Sequence, residues 1–443
     1  MKNKIHIKSK KSMKFLIVLS LFACVTTNAF SQTTEWIAFQ KSSKLTQVRG
    51  LGVDNYENVY SVATFDNELK VVSSSVYQDS FGTYWPWKQH VFTKHSVNGK
   101  LLYTTLIETR GGNSNMAEVR KMHVTSDGRI IVHLICKRDF YYVDHQRKET
   151  KLRSGYNQTS ILVIGNNGDL LNHITIPIRD CSQIIDDDLG NVFVLARNYY
   201  RNTSFEKQLF RIDFALDEAV EINFTEGKIH KLHCFNGKLW IATLEKDKKR
   251  GYLYAHKIGL FSSDLTNLKS FSENGATEVG VSHFCDLQFL NKGNNVQLVL
   301  LSRALSEFTL KGKKLAIRNG EMGLLVLNSK LELENYTTFK GLQHNLRLTG
   351  LKDGSMILQY SVLDSVVFDG KLVQVYPRHS NFIYELVHVK LNSDLHFQWV
   401  VNGGGTASNY HVSEMALNKA ETKIYVGSDL LDYGKFDSGY VEN

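Results

Sequence analysis

The chain has 443 residues, of which 42% are hydrophobic and 11% aromatic, with 3 prolines, 5 cysteines and a formal net charge of +9. This composition excludes a disordered, collagen-like or disulfide-dense chain. Residues 1–31 contain six lysines and no acid, so the remaining residues are 47 basic and 44 acidic, a net charge of +3. The basicity of the whole chain therefore does not predict a nucleic-acid partner.

The N-terminal segment has the pattern of a secretory signal peptide. A lysine-rich stretch precedes the apolar run 15–25, and the small residues Ala29 and Ser31 follow it. The run is too short for a membrane span, which needs about 20 residues. Met13 is an alternative start, and Cys24 offers the less favoured alternative of a lipid-modified cysteine. We expect residues 1–31 to be removed and residues 32–443 to be secreted, periplasmic or displayed on the cell surface.

One hairpin pattern recurs along the mature chain. Its clearest copy is 181–195, where an apolar-alternating run, a polar turn and a β-branched and aromatic run follow one another. Seven such arms are recognised by their first apolar residue: Val59, Ile130, Val192, Leu239, Val296, Met356 and Ile424. The recurrence of this arm seven times along the chain predicts an array of like units.

Each unit is predicted to hold four strands, because a second hairpin with its own polar turn follows the first. The third unit is less regular, with residues 213–217 at the second turn. The predicted units are 45–110, 116–176, 180–224, 228–272, 280–340, 345–400 and 411–430.

The two ends of the mature chain are predicted to meet. Residues 35–40 resemble 395–400 and form an orphan fourth strand, whereas the seventh unit shows only its first hairpin. We therefore predict an all-β fold, a single-domain, seven-bladed β-propeller of four-stranded antiparallel blades closed by the N-terminal strand. Residues 432–443 are short for a third strand, so the last blade is expected to be incomplete unless the protein continues past Asn443. Stacked sandwiches are the alternative, but they do not give seven units.

A family resemblance supports this interpretation. Trp36, the later glycine and the Asn58-Val-Tyr arm resemble the bacterial SBBP-type (seven-bladed β-propeller) repeat, as do Trp399 with Gly403-Gly-Gly405 and the Met415-Ala-Leu hairpin. Several units lack the glycines: Glu57 replaces the turn glycine in the first, and Glu421-Thr422 does so in the last. The resemblance implies an exported propeller and brings no catalytic residues.

No catalytic or phosphate-binding motif is present in the sequence. Residues 186–188 resemble part of a calcium loop without its closing acid, so a turn is the favoured interpretation. His230 and His233 fall on opposite faces of a strand, which argues against zinc. For Cys136, Cys181, Cys234 and Cys285, burial as small apolar residues is favoured over disulfides. No metal or cofactor is predicted.

The loops joining the second and third strands of each unit are basic and aromatic. Residues 66–90, 137–160, 197–208, 245–252, 303–322 and 364–385 hold 22 Lys and Arg against 14 Asp and Glu. Such a face suits an acidic polymer, because charge holds it and flat rings stack on sugars. The candidate ligand-binding residues are Tyr84, Trp85, Trp87, Tyr141, Tyr142, Tyr199, Tyr200, Lys248, Lys249 and Arg250.

We therefore expect a monomeric binding or scaffold module that recognises an acidic polysaccharide or another cell-surface component, without nucleic acid. Loop aromatics that merely cover the blade ends are the simpler alternative. A carbohydrate-active enzyme, a polysaccharide lyase or glycoside hydrolase using the same face or the channel mouth, is the other. Paired carboxylates for such an enzyme can meet in space without showing in the sequence.

Overall fold

The computed structural model is all-β over the part of the chain that it describes. The described residues are 38–42, 46–65, 68–73, 76–82, 89–110, 117–136, 139–154, 159–176, 180–187, 189–197, 207–214, 217–246, 255–280, 283–303, 308–317, 321–339, 343–362, 365–368, 371–374, 384–407, 414–427, 433–436 and 439–442. These residues form strands and turns without a helix, so they include no helix long and apolar enough to cross a membrane.

The strands are numbered in chain order. The first third of the chain forms β1 (Ala38–Ser42), β2 (Thr46–Val53), β3 (Val59–Phe65), β4 (Glu68–Ser73), β5 (Val76–Gly82), β6 (Gln89–His95), β7 (Leu101–Glu108), β8 (Glu118–Val124), β9 (Ile130–Ile135), β10 (Phe140–Val143), β11 (Glu149–Leu152), β12 (Thr159–Ile164) and β13 (Leu170–Ile176). The middle forms β14 (Asp180–Asp186), β15 (Val192–Arg197), β16 (Lys207–Asp213), β17 (Glu218–Ile222), β18 (Ile229–Phe235), β19 (Lys238–Lys246), β20 (Ala255–Asp264), β21 (Ser272–Gly280), β22 (His283–Lys292), β23 (Asn295–Arg303), β24 (Phe308–Leu310), β25 (Lys313–Leu315), β26 (Met322–Leu327) and β27 (Leu333–Phe339). The last part forms β28 (Gln343–Gly350), β29 (Met356–Val362), β30 (Ser365–Phe368), β31 (Lys371–Gln374), β32 (Tyr384–Leu391), β33 (Phe397–Ala407), β34 (Glu414–Leu417), β35 (Ile424–Gly427), β36 (Tyr433–Phe436) and β37 (Gly439–Glu442).

Six sheets share one antiparallel order of four strands. They are β2-β3-β6-β7, β8-β9-β12-β13, β14-β15-β16-β17, β18-β19-β20-β21, β22-β23-β26-β27 and β28-β29-β32-β33, and β34-β35 adds a further hairpin. The seven hairpins predicted from the sequence are therefore confirmed. In the third unit β16 ends at Asp213 and pairs with β17, which begins at Glu218, so the second hairpin lies where the sequence predicts it.

The hairpin turns explain the two glutamates in glycine positions. Glu57 and Glu421 have φ values of 61° and 56°, the left-handed conformation that glycine adopts in the equivalent turns, such as Gly128 at 82°. In the first turn, Asp54 accepts hydrogen bonds from the Tyr56 and Asn58 backbone N–H groups at 2.8 and 2.9 Å. These bonds hold the turn although a non-glycine residue occupies the strained position.

The sheets follow one another through their first strands. β2 lies beside β8, β8 beside β14, β14 beside β18, β18 beside β22 and β22 beside β28, and β34 lies beside β2. The core fills the space between neighbouring sheets: Ile131 and Ile161 of the second sheet pack with Val194 of the third. Burying each such side chain contributes about 1.5–3 kcal/mol. No sheet closes on itself among the described strands.

Four connecting segments reach back to the sheet before their own. Between the second and third strands of the second sheet, β10 and β11 form a hairpin, and β10 pairs with β7, the outer strand of the first sheet. Likewise β24 pairs with β21, while β30 lies beside β27 and β36 beside β33. These hairpins cover outer edges that open sheets must otherwise protect.

The N-terminal strand does not pair with β35 in the described part of the chain. Instead β1 pairs antiparallel with β4, so that Gln40 lies opposite Val71. β4 and β5 form a hairpin in the connection between β3 and β6, and that hairpin offers β1 a free edge. The predicted closure, in which the N-terminal strand joins the blade that contains β35, is therefore not confirmed by the described pairings. Residues 1–31, with the predicted signal peptide, lie outside the described residues.

Candidate functional site

The first strands share a register irregularity. In β2, β8, β14, β18, β22 and β28 the pairing with the next strand shifts at the same place. A bulge re-aims the side chain beside it. We name as the central ring the residues that resume the pairing, together with Glu414, which like them directly precedes an apolar residue: Gly50, Lys121, Gln183, Lys231, Asp286, Arg347 and Glu414.

Charged groups of the central ring converge on Lys231. Burial lowers the pKa of the Lys231 ammonium, the carboxylate of Asp286 raises it, and the cations of Lys121 and Arg347 lower it further. These four residues come from four different sheets. Only the centre of the array brings such side chains within electrostatic reach of one another.

The acids of the central ring are already engaged. Asp286 accepts hydrogen bonds from the backbone N–H groups of Leu287 and Leu348, at 2.8 and 3.1 Å. Arg347 donates two hydrogen bonds, 2.9 and 3.1 Å long, to the carboxylate of Glu414. Such a bidentate pair fixes both side chains. The carboxylates therefore hold neighbouring strands together, and Asp286 attracts the Lys231 ammonium without forming an ion pair with it among the described residues.

The amide of Gln183 joins two sheets in a similar way. Its Nε2 donates to the Leu232 carbonyl, and its Oε1 accepts from the Leu232 N–H, both at 2.8 Å. Gln183 thus satisfies both backbone groups of a residue in the next sheet. This leaves the lysines as the ring's uncommitted polar side chains.

Lys121 and Lys231 have no hydrogen-bond or ion-pair partner for their ammonium groups among the described residues, and both are half-buried. The neighbouring cation Arg120 differs, because it pairs with Glu118 at 2.8 Å. Partly desolvated ammonium groups without partners are unfavourable unless an anion joins them. The two ring lysines are therefore candidate contacts for a negatively charged group.

Most of the candidate residues from the sequence lie outside the described residues: Tyr84, Trp85, Trp87, Tyr199, Tyr200, Lys248, Lys249 and Arg250. Tyr141 and Tyr142 lie on β10, at the outer edge of the first sheet. The Tyr142 side chain is buried and its hydroxyl donates to the Gly168 carbonyl at 2.7 Å, so its ring belongs to the core. Tyr141 remains half-exposed beneath the guanidinium of Arg110, 4.1 Å from the ring centroid.

Basic side chains near Tyr141 are neutralised locally. Arg110 pairs with Glu108 at 2.9 Å and with Glu149 at 2.7 Å, and Lys151 pairs with Asp139 at 2.9 Å. Because these cations have partners, they attract an external anion less than the ring lysines do. The physical reason for the difference is the sheet edge: a short hairpin there places opposite charges on adjacent strands.

The other candidates have structural roles. Asp187 accepts hydrogen bonds from the backbone N–H groups of Leu189 and Asn191, both at 2.9 Å, and Asp186 bonds His123 at 2.8 Å. These contacts confirm the turn interpretation of that segment. Cys136 and Cys181 are buried and are not in a disulfide, and the Cys181 thiol donates to the Gln183 carbonyl at 3.2 Å. Within the described ranges, no three His, Cys, Asp or Glu residues gather as metal ligands.

Sequence reasoning missed the central ring. The sequence did contain a signal, because Lys121, Lys231 and Arg347 each directly precede an apolar residue in the first strand of a unit. Functional residues were expected in the loops, where they usually lie, so the charged position within the first strands was not considered.

No family model and no curated protein matches the chain. Among solved structures it is similar to the Dos1 propeller, with 11% identity, 89% of this chain and 92% of that chain covered, and a TM-score of 0.42. It is also similar to virginiamycin B lyase from Staphylococcus aureus, with 8% identity, coverages of 81% and 97%, and a TM-score of 0.34. YCF48 bound to a D1 peptide shows 9% identity, coverages of 75% and 95%, and a TM-score of 0.33. At TM-scores below 0.5, the fold assignment rests on the strand pairing of this chain itself.

Proposed function

We propose that this chain is an exported, seven-bladed β-propeller that binds an acidic glycan of the cell surface and performs no catalysis. The observation that carries the proposal is that two half-buried ammonium groups of the central ring, Lys121 and Lys231, have no hydrogen-bond or ion-pair partner among the described residues. Cations held by rigid strands attract acidic polymers, and partial burial strengthens the attraction. The aromatic residues predicted at the loops, such as Trp85 and Trp87, supply rings for stacking on sugars.

The contacts of the last hairpin support a closed ring of seven blades. β34 lies beside β2, and Arg347 in β28 pairs with Glu414 in β34 at 2.9 Å. The first strands thereby connect from β2 around to β2 again. A ring of this kind leaves only short, protected edges.

The N-terminal strand fits the seventh blade. A connecting hairpin pairs with the outer strand of the preceding sheet when β10 pairs with β7 and when β24 pairs with β21. β4, in the connecting hairpin of the first sheet, pairs with β1. By the same relation, β1 occupies the place of the outer strand of the blade before the first, which in a ring is the seventh. β1 then completes that blade as its outer strand, while its described partner is β4.

Binding is favoured over hydrolysis by the state of the ring carboxylates. A glycoside hydrolase needs two carboxyl groups free to act as acid and as base or nucleophile. Asp286 is held by two backbone N–H groups, and Glu414 is held by Arg347. Export rests on the signal-peptide pattern of residues 1–31 and on the resemblance to SBBP-type repeats.

The proposal is tested by calorimetric titration of residues 32–443 with an acidic polysaccharide and with a neutral one. We expect the acidic polymer to bind, more weakly as salt is added, and the neutral polymer not to bind. Equal binding of both polymers, or of neither, contradicts the proposal. A parallel assay for polysaccharide cleavage should show no new chain ends; their appearance supports the enzyme instead.

A further inference from the structure

We propose that Lys121 and Lys231 form a binding site, called the seat below, for one singly charged oxyanion. This class includes the carboxylate of a sugar acid. The inference rests on the proposed function but assigns the binding to two side chains and to one kind of group. It requires the two lysines to act together on one ligand. β8 and β18 both lie beside β14, and Lys121 and Lys231 resume the pairing after the register shift on either side of the equivalent Gln183.

The charge of the central ring sets the valence of the ligand. The ring holds three cations, Lys121, Lys231 and Arg347, and two carboxylates, Asp286 and Glu414, so its net charge is +1. One monoanion neutralises it, whereas a dianion leaves an excess negative charge in a half-buried site. The charge balance therefore favours a carboxylate over a phosphate dianion.

The geometry of the donors sets the type of contact. Arg347 donates two N–H groups to the Glu414 carboxylate, whereas the N–H donors of the Lys121 and Lys231 ammonium groups remain available for the ligand. Ammonium groups are compact point charges with three donors each and make no fixed planar fork. Two of them can therefore hold one oxyanion from two sides, leaving the sugar ring outside the seat.

The seat also predicts a link between the two lysines. Lys121 contributes to lowering the pKa of the Lys231 ammonium, and a bound anion acts in the opposite direction. Lys121→Gln should therefore raise the pKa of Lys231 in the free protein. Anion binding should raise it in the wild type.

The test uses the mature chain and three small ligands: glucuronate, glucose and inorganic phosphate. NMR of the lysine side-chain carbons follows the Lys231 signal during each titration across pH. We expect glucuronate to bind and to raise the pKa of Lys231, glucose to leave the signal unchanged, and phosphate dianion to bind more weakly than glucuronate. Lys121→Gln and Lys231→Gln should each weaken glucuronate binding about tenfold, as loss of one member of a close charge pair does.

Two further variants make the test specific. Lys269→Gln is the matched control, because Lys269 is an exposed lysine in the turn between β20 and β21, in the same sheet as Lys231; it should bind as wild type. Asp286→Asn raises the net charge of the ring to +2 and keeps one oxygen for a backbone N–H, so it should shift the preference toward phosphate. An unchanged preference overturns the charge-balance part of the inference.

The outcomes separate this inference from the proposed function. If an acidic polymer binds but both ring variants bind it like wild type, the seat is wrong and the proposed function stands. If glucuronate binds in the lysine-dependent way while no acidic polymer binds, the seat stands and the glycan function fails. Glucose binding as tightly as glucuronate overturns the seat.

Discussion

Asn418 donates a hydrogen bond from Nδ2 to Oε1 of Glu57 at 2.8 Å, across 361 positions of sequence. The contact joins the turn of the last hairpin to the turn of the first. Lys423 adds an ion pair with the same carboxylate at 3.3 Å. The hydrogen bond from Asn418 is the main cause that lowers the pKa of Glu57, with Lys423 acting in the same direction against burial. At φ 61° the backbone of Glu57 is more strained than that of a glycine would be, but its side chain makes an inter-sheet contact that glycine could not make.

Replacing Glu57 separates these two effects. Glu57→Ala loses the contact but keeps the strained backbone, so we expect the free energy of unfolding to fall by about 1–2 kcal/mol. Glu57→Gly loses the same contact but relieves the strain, so it should fall by less. Lys311→Gly is the control, since exposed Lys311 has φ 49° in the β24–β25 turn. It should be neutral or stabilising. Urea denaturation measures all three, and an Ala variant as stable as wild type contradicts the role of the contact.

Removal of the N-terminal strand should destabilise the protein more than trimming an ordinary terminus does. Without Ala38–Ser42, β4 loses one of its two antiparallel partners and keeps only β5. We expect a lower melting temperature and faster amide exchange at Leu69–Ser73. Exchange that stays slow there, together with an unchanged melting temperature, argues against a structural role for β1.

Acid should destabilise the fold through buried histidines. Burial lowers the pKa of His95 to about 4, of His133 to about 3 and of His388 to about 4, with Arg120 and Lys121 adding to the effect at His133. The unfolded chain protonates these residues near pH 6.5, whereas the folded protein keeps them neutral. Stability is therefore full above pH 6.5 and falls as the pH drops below it, by up to about 1.4 kcal/mol per pH unit and histidine.

Urea unfolding at about pH 7.5, about pH 6.0 and about pH 5.0 measures how the free energy of unfolding changes with pH. His133→Gln should give a shallower slope than wild type, because one of the three proton-binding differences is removed. A free energy of unfolding that stays constant between neutral pH and pH 5 is the result that contradicts the expectation.

The close approach of β28 to β22 leaves no room for a side chain at Gly350. A Cβ atom at this position of β28 would lie 2.7 Å from the carbonyl oxygen of Phe289 in β22, and nearer still to the Leu290 side chain. Since backbone cannot move aside cheaply, we expect Gly350→Ala to lower the free energy of unfolding by about 2 kcal/mol. Thr349→Ala, on the opposite face of the same strand, should be milder. Thermal melts that rank the two variants in reverse order rule out the steric argument.

The strands and their order were predictable where the signal is local. Alternation of apolar residues and the polar turns predicted the seven hairpins, and the equivalence of Glu57 with glycine was visible because the turns repeat. The connecting hairpins, such as β10–β11, were not predicted: they are short, and they are stabilised by the edge of another sheet rather than by their own pattern. The central ring escaped for a related reason, since the convergence of Lys121 with Lys231 depends on how four sheets are arranged.

The hairpins that pair with the preceding sheet delay the completion of that sheet while the chain is being translated. β7 is complete when Glu108 has been added, but its outer edge stays bare until Phe140–Leu152 has emerged from the ribosome. The same delay applies to β21, which waits for Phe308–Leu310. At these sheets, folding during translation therefore runs one sheet behind elongation, and the outer strand exposes an edge open to aggregation for that interval. A chaperone that shields such edges would act on the growing chain rather than on the finished protein.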